Sequence, residues 1–339
     1  EAPQGAPGGT IAQRLSTVGA QFTLGDVAAY APLVAQTAAS LRAAATDELA
    51  AERTERVKVI GLYYAALKAR SVAAARADAV ASASAFLDAA QKRFAAGDAP
   101  RIDVVRAQVA HAKSQADLAR AKADDANAAD ALARETDVAA AALATTAAAS
   151  SPAPQVPAPE AAVASALARR ADLRSADASV RASEAGVRAA ERAAIPPLTV
   201  SAGYTTGVDS GFRVSGPSVG AQLAIPLGGA LGAKVRAQRA LLDAANAKRA
   251  GVARQIAVDV GAAARTAAAS VDAERATAAA LEAARAELDA ATLGYRNGAS
   301  TSLDLSSARS AYAQAEVDEL SALYDRLQAQ ATLTQEMSE

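Results

Sequence analysis

Residues 18–24 read VGAQFTL and residues 219–225 read VGAQLAI, nearly the same heptapeptide 201 positions apart (219 − 18). Both copies alternate. Val18, Ala20, Phe22 and Leu24 oppose Gly19, Gln21 and Thr23; Val219, Ala221, Leu223 and Ile225 oppose Gly220, Gln222 and Ala224. Period two marks a strand with one apolar and one polar face. PLTVSAGYTTGV (197–208) has the same pattern, with Leu198, Val200, Ala202 and Tyr204 on one side and Thr199, Ser201, Gly203 and Thr205 on the other. GVDSGFRVSGP (207–217) reads as the hairpin loop between the two later strands. About nine to eleven residues is the length of a membrane-barrel strand, which turns apolar residues to lipid and polar ones to the lumen. A small soluble sheet alternates in the same way, and the pattern alone fits both.

The shift of 201 aligns more than the heptapeptide. Phe94 falls on Tyr295, Gly97 on Gly298, Ile102 on Leu303, Asp103 on Asp304 and Arg53 on Arg254. Alanine matches carry little weight in so alanine-rich a chain; matched Gly, Asp and aromatic positions carry more. The sequence therefore predicts a tandem repeat of period 201: strand, very long helix, Gly-containing turn, second helix. The first repeat covers 1–138, an Ala/Pro-rich linker 139–159, and the second repeat 160–339. From Ala28 to Ala96 the one breaker is Pro32 near the start, and from Ala230 to Leu293 there is no proline. A helix of roughly 65 residues is about 100 Å long, far beyond the usual ten to fourteen residues. Val57, Ile60, Tyr64, Leu67 and Val72 recur at the steps of a packed stripe. A further helix runs from Pro159 to the Pro196-Pro197 pair.

Composition agrees with long helices. Of 339 residues, 52% are hydrophobic but only 3% aromatic, and alanine, the best helix former, supplies much of the apolar fraction. A net charge of −1 offers no basic surface for nucleic acid. With no cysteine there are no disulfides, thiolate metal sites or cysteine nucleophiles. One histidine, His111, lies in a polar helical stretch and cannot build a zinc site. LGGALGAK (227–234) places Ala233 where a phosphate loop needs glycine before lysine. No enzyme, metal or cofactor is expected. No stretch has the roughly 20 strongly apolar residues of a transmembrane helix.

Two turns stand out. Gly97 and Gly298 follow long helices, where a left-handed residue ends a helix. Asp103 and Asp304 come six residues later, as first-turn carboxylates favoured by the helix dipole. Thr301 and Asp304 have the spacing of a capping box.

ARRADLRSADASVRASEAGVRAAERAAIPPLTVSAGY (168–204), VGAQLAIPLGG (219–229), LGYRNGASTSLDLSSA (293–308) and RFAAGDAPRIDVVRA (93–107), taken in this order, resemble the outer membrane factors, the TolC-like exit ducts of Gram-negative bacteria. The resemblance implies a mainly α chain with a minor β part. Three copies would close a twelve-stranded outer-membrane β-barrel, continued as an α-barrel of long antiparallel coiled-coil helices through the periplasm. The tip would dock a periplasmic adaptor and, through it, an inner-membrane pump. Val18, Phe22, Leu24, Val200, Tyr204, Val219, Leu223 and Ile225 would face outer-membrane lipid. Gly97, Gly298, Asp103, Asp304 and Tyr295 would form the tip, with the Tyr295 hydroxyl bonding Asp103 to hold it closed. Two family positions differ: Ser300 stands where some relatives have a closing arginine, and Ser307 where they have a second carboxylate. The first repeat also lacks counterparts of 160–208, so a preceding segment is expected. A soluble or periplasmic coiled-coil scaffold or adaptor is the alternative; an adaptor would need more β-structure than this chain offers.

Overall fold

The computed structural model describes residues 14–138, 156–193, 196–209, 212–225 and 230–338. Three strands and six helices follow one another as β1 (Arg14–Thr23), α1 (Leu24–Ala95), α2 (Arg101–Thr136), α3 (Pro159–Arg169), α4 (Ala171–Arg192), β2 (Leu198–Asp209), β3 (Phe212–Leu223), α5 (Ala230–Arg296) and α6 (Ser302–Met337). The mainly helical chain with a small sheet is the expected class. The opening loop, residues 139–155 of the linker and residues 226–229 lie outside the described residues.

The chain divides into two compact units, each drawing on segments from before and after the linker: residues 1–47 with 172–252, and 48–171 with 253–339.

The first unit holds the sheet, antiparallel in the order β1-β2-β3. Register brings the alternating sets together. Val18 pairs Tyr204, Ala20 pairs Ala202, and Phe22 pairs Val200; across the other seam Ala202 pairs Val219 and Leu198 pairs Leu223. The apolar members therefore share one face, and it is open: Val18 and Val219 are each 81% exposed. On the opposite face the Thr17 and Thr205 hydroxyls lie 3.0 Å apart and Thr23 and Thr199 are similarly paired. Gly19 pairs Gly203 directly, and a Cβ on Gly19 would stand 2.9 Å from the Ala202 carbonyl oxygen, so the glycine of VGAQ permits the close seam.

The strands end earlier and run further into the hairpin than the pattern predicts. β1 stops at Thr23, and Leu24 opens α1 instead of closing the strand. β3 stops at Leu223, which leaves Ile225 just past it and exposed. Most of 207–217, expected as loop, is paired strand: Gly207 faces Val214 and Asp209 faces Phe212. The Gly, Ser and Pro content that suggested a loop is tolerated because β3 is an edge strand, where Pro217 need not donate to a second neighbour. Below the sheet, α4 packs small side chains, with Ala185 and Ala190 buried. It is tied to α1 by Ser175 donating to Asp47 at 2.5 Å and to α5 by the Arg239–Glu191 and Arg249–Asp177 pairs.

The second unit contains the remaining helix. Its largest fully buried side chains are Ile256 and Val260 of α5, among alanines such as Ala107, Ala162, Ala166 and Ala267. Alanine lets helix axes approach closely; the cost is little apolar area per residue. Polar ties add to it: Lys68 to Asp325, Ser71 to Tyr324 and Arg326 to Glu274. The helix expected to run unbroken from Pro159 is two helices. Arg170 is extended (φ −63°, ψ 132°) while its N–H still bonds the Ala166 carbonyl. Its buried guanidinium shares Glu336 Oε2 with Arg53, both at 2.7 Å. A long-range ion pair coincides with this break, and neither glycine nor proline marks it.

The helix tips as the candidate functional site

Both turns of the second unit end a helix by the same device. At the end of α1 the Gly97 N–H bonds the Phe94 carbonyl and the Asp98 N–H reaches Arg93; at the end of α5 Gly298 bonds Tyr295 and Ala299 reaches Gly294. These paired bonds are the Schellman closure, which needs a left-handed residue. Gly97 (φ 83°) and Gly298 (φ 76°) supply it. The chain then enters α2 and α6, of 36 residues each.

The two helix starts are built differently. Thr301 caps α6: its hydroxyl accepts from the Asp304 N–H at 3.2 Å, while the Asp304 carboxylate accepts from the Thr301 N–H at 2.9 Å and its hydroxyl at 2.8 Å. This is the capping box whose spacing the sequence shows. The two Thr301 donors hold the Asp304 carboxyl below the ordinary aspartate range. α2 starts after Pro100 without a side-chain cap, and Asp103 lies in its first turn.

Asp103 turns inward. It is 8% exposed, and its Oδ1 accepts a short hydrogen bond from Ser302, the first residue of α6 and itself 3% exposed. Arg106 donates to Ser302 Oγ at 3.1 Å and stands 3.8 Å from Asp103. Sequence spacing could not reveal Ser302, whose partner is 199 residues away. Tyr295 is close by but does not bond Asp103. Its ring meets Phe86 edge-on, with centroids 6.2 Å apart, and carries the Arg93 guanidinium over its face; its buried hydroxyl has no hydrogen-bond partner among the described residues. The Tyr295–Asp103 bond implied by the resemblance is thus absent from this structure; the hydroxyl that reaches the carboxylate is that of Ser302.

A small apolar cluster of Phe86, Ala90, Ala107 and Leu305 seats the turns. Next to it a cavity of about 820 Å³ is lined in part by Val105, Leu288, Leu303 and Arg309. Arg309 bridges its wall, donating to the Ser82 hydroxyl at 3.0 Å with its guanidinium over the Phe86 ring. Among the described residues no cluster of His, Cys, Asp or Glu could hold a metal ion, and no helix is long and apolar enough to cross a membrane.

The family model for outer membrane efflux protein matches residues 162–338, more than half of the chain. The chain belongs to the outer membrane efflux protein family. Members of this family are outer-membrane channels, not enzymes. Solved structures share the fold. CusC, studied for conformational changes accompanying folding and transmembrane channel formation, is 16% identical at a TM-score of 0.82, over 97% of this chain and 79% of its own. VceC from Vibrio cholerae is 17% identical at 0.77, over 97% and 87%. The open state of MtrE from Neisseria gonorrhoeae is 18% identical at 0.71, over 97% and 80%. At these identities the likeness is one of fold. No curated protein matches the chain in sequence.

Proposed function

We propose that this efflux-family chain is one protomer of a homotrimeric, passive exit duct in the outer membrane of a Gram-negative bacterium. It serves a tripartite efflux pump or a type I secretion system. Energy comes from an inner-membrane pump reached through a periplasmic adaptor, and the chain itself does no chemistry.

The observation that carries this reading is the sheet. Its apolar residues, Val18, Phe22, Val200, Tyr204, Val219 and Leu223, share one exposed face in register, and hydroxyls and glycines share the other. A soluble sheet would cover such a face; a barrel strand offers it to lipid. Among the described residues β1 and β3 keep unpaired edges, and open edges are not tolerated in lipid. Neighbouring copies would pair them. Leu24 and Ile225 would sit at the periplasmic rim of this lipid-facing band.

The periplasmic end would be the turns at Gly97 and Gly298, with Asp103, Asp304 and Tyr295 around the gate. Their shared Schellman closure, and helices of equal length after each, support a tandem repeat of period 201. On this reading the repeats are residues 1–138 and 160–339, on either side of the linker.

Fractionation after expression of the full-length protein tests the reading. The expected product sediments with outer membranes and migrates as a trimer, and it conducts ions when reconstituted. A soluble monomer would refute the duct and favour the coiled-coil scaffold.

A further inference from the structure

We propose that Ser302 is the residue that fastens the tip, by tying the start of α6 to the start of α2 through Asp103. This rests on the duct reading above.

The chemistry requires a hydroxyl at this position. Asp103, as a carboxylate, only accepts; Arg106 only donates. Ser302 does both, donating to Asp103 Oδ1 and accepting from Arg106 Nη1 at 3.1 Å. No other group of this size completes the chain of three. Ser302 and Asp103 lie in the first turns of their helices, so two positive helix ends meet here. The Asp103 carboxylate sits between them and offsets their mutual repulsion. α2 belongs to the hairpin after Gly97 and α6 to the hairpin after Gly298, so any movement that parts the two hairpins must break this contact.

Other polar groups at the tip are less suited to the role. Asp304 is engaged within its own turn by Thr301. The Tyr295 hydroxyl bonds none of the described residues. Ser300 Oγ lies against Gly294 of the same turn, where a Cβ would stand 2.2 Å from it. Ser302 is therefore the α6 side chain that reaches the other hairpin's carboxylate from a buried position.

A hydrogen bond to a charged group shifts a two-state ratio about tenfold or more. The test is single-channel recording of the reconstituted full-length protein. Ser302→Ala should raise the open fraction at least about tenfold. A Ser302→Cys, Asp103→Cys double variant should be leaky when reduced. The 339 residues contain no cysteine, so a short bis-methanethiosulfonate reagent can be aimed at this pair, with the two single-cysteine variants as controls. Joining it should restore the closed state, and dithiothreitol should release it. A merely structural role for Ser302 would not produce this reversible gating. If wild-type protein conducts but Ser302→Ala does not differ from it, or the joined and reduced double variants conduct alike, the fastening role is refuted and the duct stands. If wild-type protein forms no pore, both fall together.

Discussion

Replacing Tyr295 with phenylalanine should stabilise the protein and leave its closed-state conductance unchanged. The hydroxyl is buried and has no partner among the described residues, while the ring packs against Phe86 and under Arg93. Stranding a polar group away from water costs about 1–3 kcal/mol. Tyr295→Phe removes that cost and keeps both ring contacts, so the expected gain is about 1 kcal/mol after allowance for local relaxation. Tyr295→Ala removes the ring as well and should lose about 3 kcal/mol, at the lower end for a large aromatic in a packed site. Denaturant unfolding of the two variants beside wild type in one detergent measures both, with the slope checked for constancy. A loss of more than about 0.5 kcal/mol in Tyr295→Phe, or an increase in its conductance, would refute the reasoning. Either would show that the hydroxyl has a partner in the assembled protein.

Gly97→Ala and Gly298→Ala should each cost about 1 kcal/mol, measured by the same unfolding. A Cβ meets no atom within 4 Å at either position, so the left-handed backbone is the whole of the cost and a larger loss would mean an unseen contact. Gly19→Ala should cost about 1–3 kcal/mol through crowding, because the new carbon presses on the backbone of β2; heat-modifiability on gels reads the weakened sheet. Asp304 has a depressed folded pKa, so its contribution is complete above the unfolded value of about 3.9 and fades as pH falls through the folded one. The stability lost as pH falls below about 4 should therefore be smaller in Asp304→Asn than in wild type, read by denaturant unfolding across that range. Glu336→Ala removes the carboxylate oxygen that Arg53 and Arg170 share and should lower stability, checked by thermal or denaturant unfolding.

Signals that repeat at short range were legible in the sequence. Alternation revealed the strands because the sheet has one open apolar face, and the long helices showed as stretches without breakers. Gly97 and Gly298 were readable because a helix end asks for a left-handed residue, and the Thr301–Asp304 cap lies within four consecutive residues. Contacts across the sequence were not readable. Arg170 interrupts a good helical pattern, and its partner Glu336 lies 166 positions away. Ser302 looks like any serine until α2 brings Asp103 to it. The hairpin was underestimated because Gly216 and Pro217 argue against a central strand but not against an edge, and sequence does not say which strand is at the edge. Leu24 continues the alternation of β1 by residue type, yet its backbone has already turned helical.

The polar face of the sheet has a further consequence. Across its register lie Gly19, Gly203 and Ser218, then Gln21, Ser201 and Gly220, then Thr17, Thr205 and Gly216. Most of these side chains are a hydrogen, a hydroxymethyl or little more. On the duct reading this stretch of the wall takes almost no cross-section from the bore and offers cargo mainly hydroxyls and peptide groups; towards the hairpin end the same face continues through Val214 and the Asp209–Phe212 pair. Such a lining neither sorts solutes nor retains them. Throughput and discrimination would then be set elsewhere along the path, and exchanging these glycines for bulkier residues would narrow the calibre of the wide end without touching the gate.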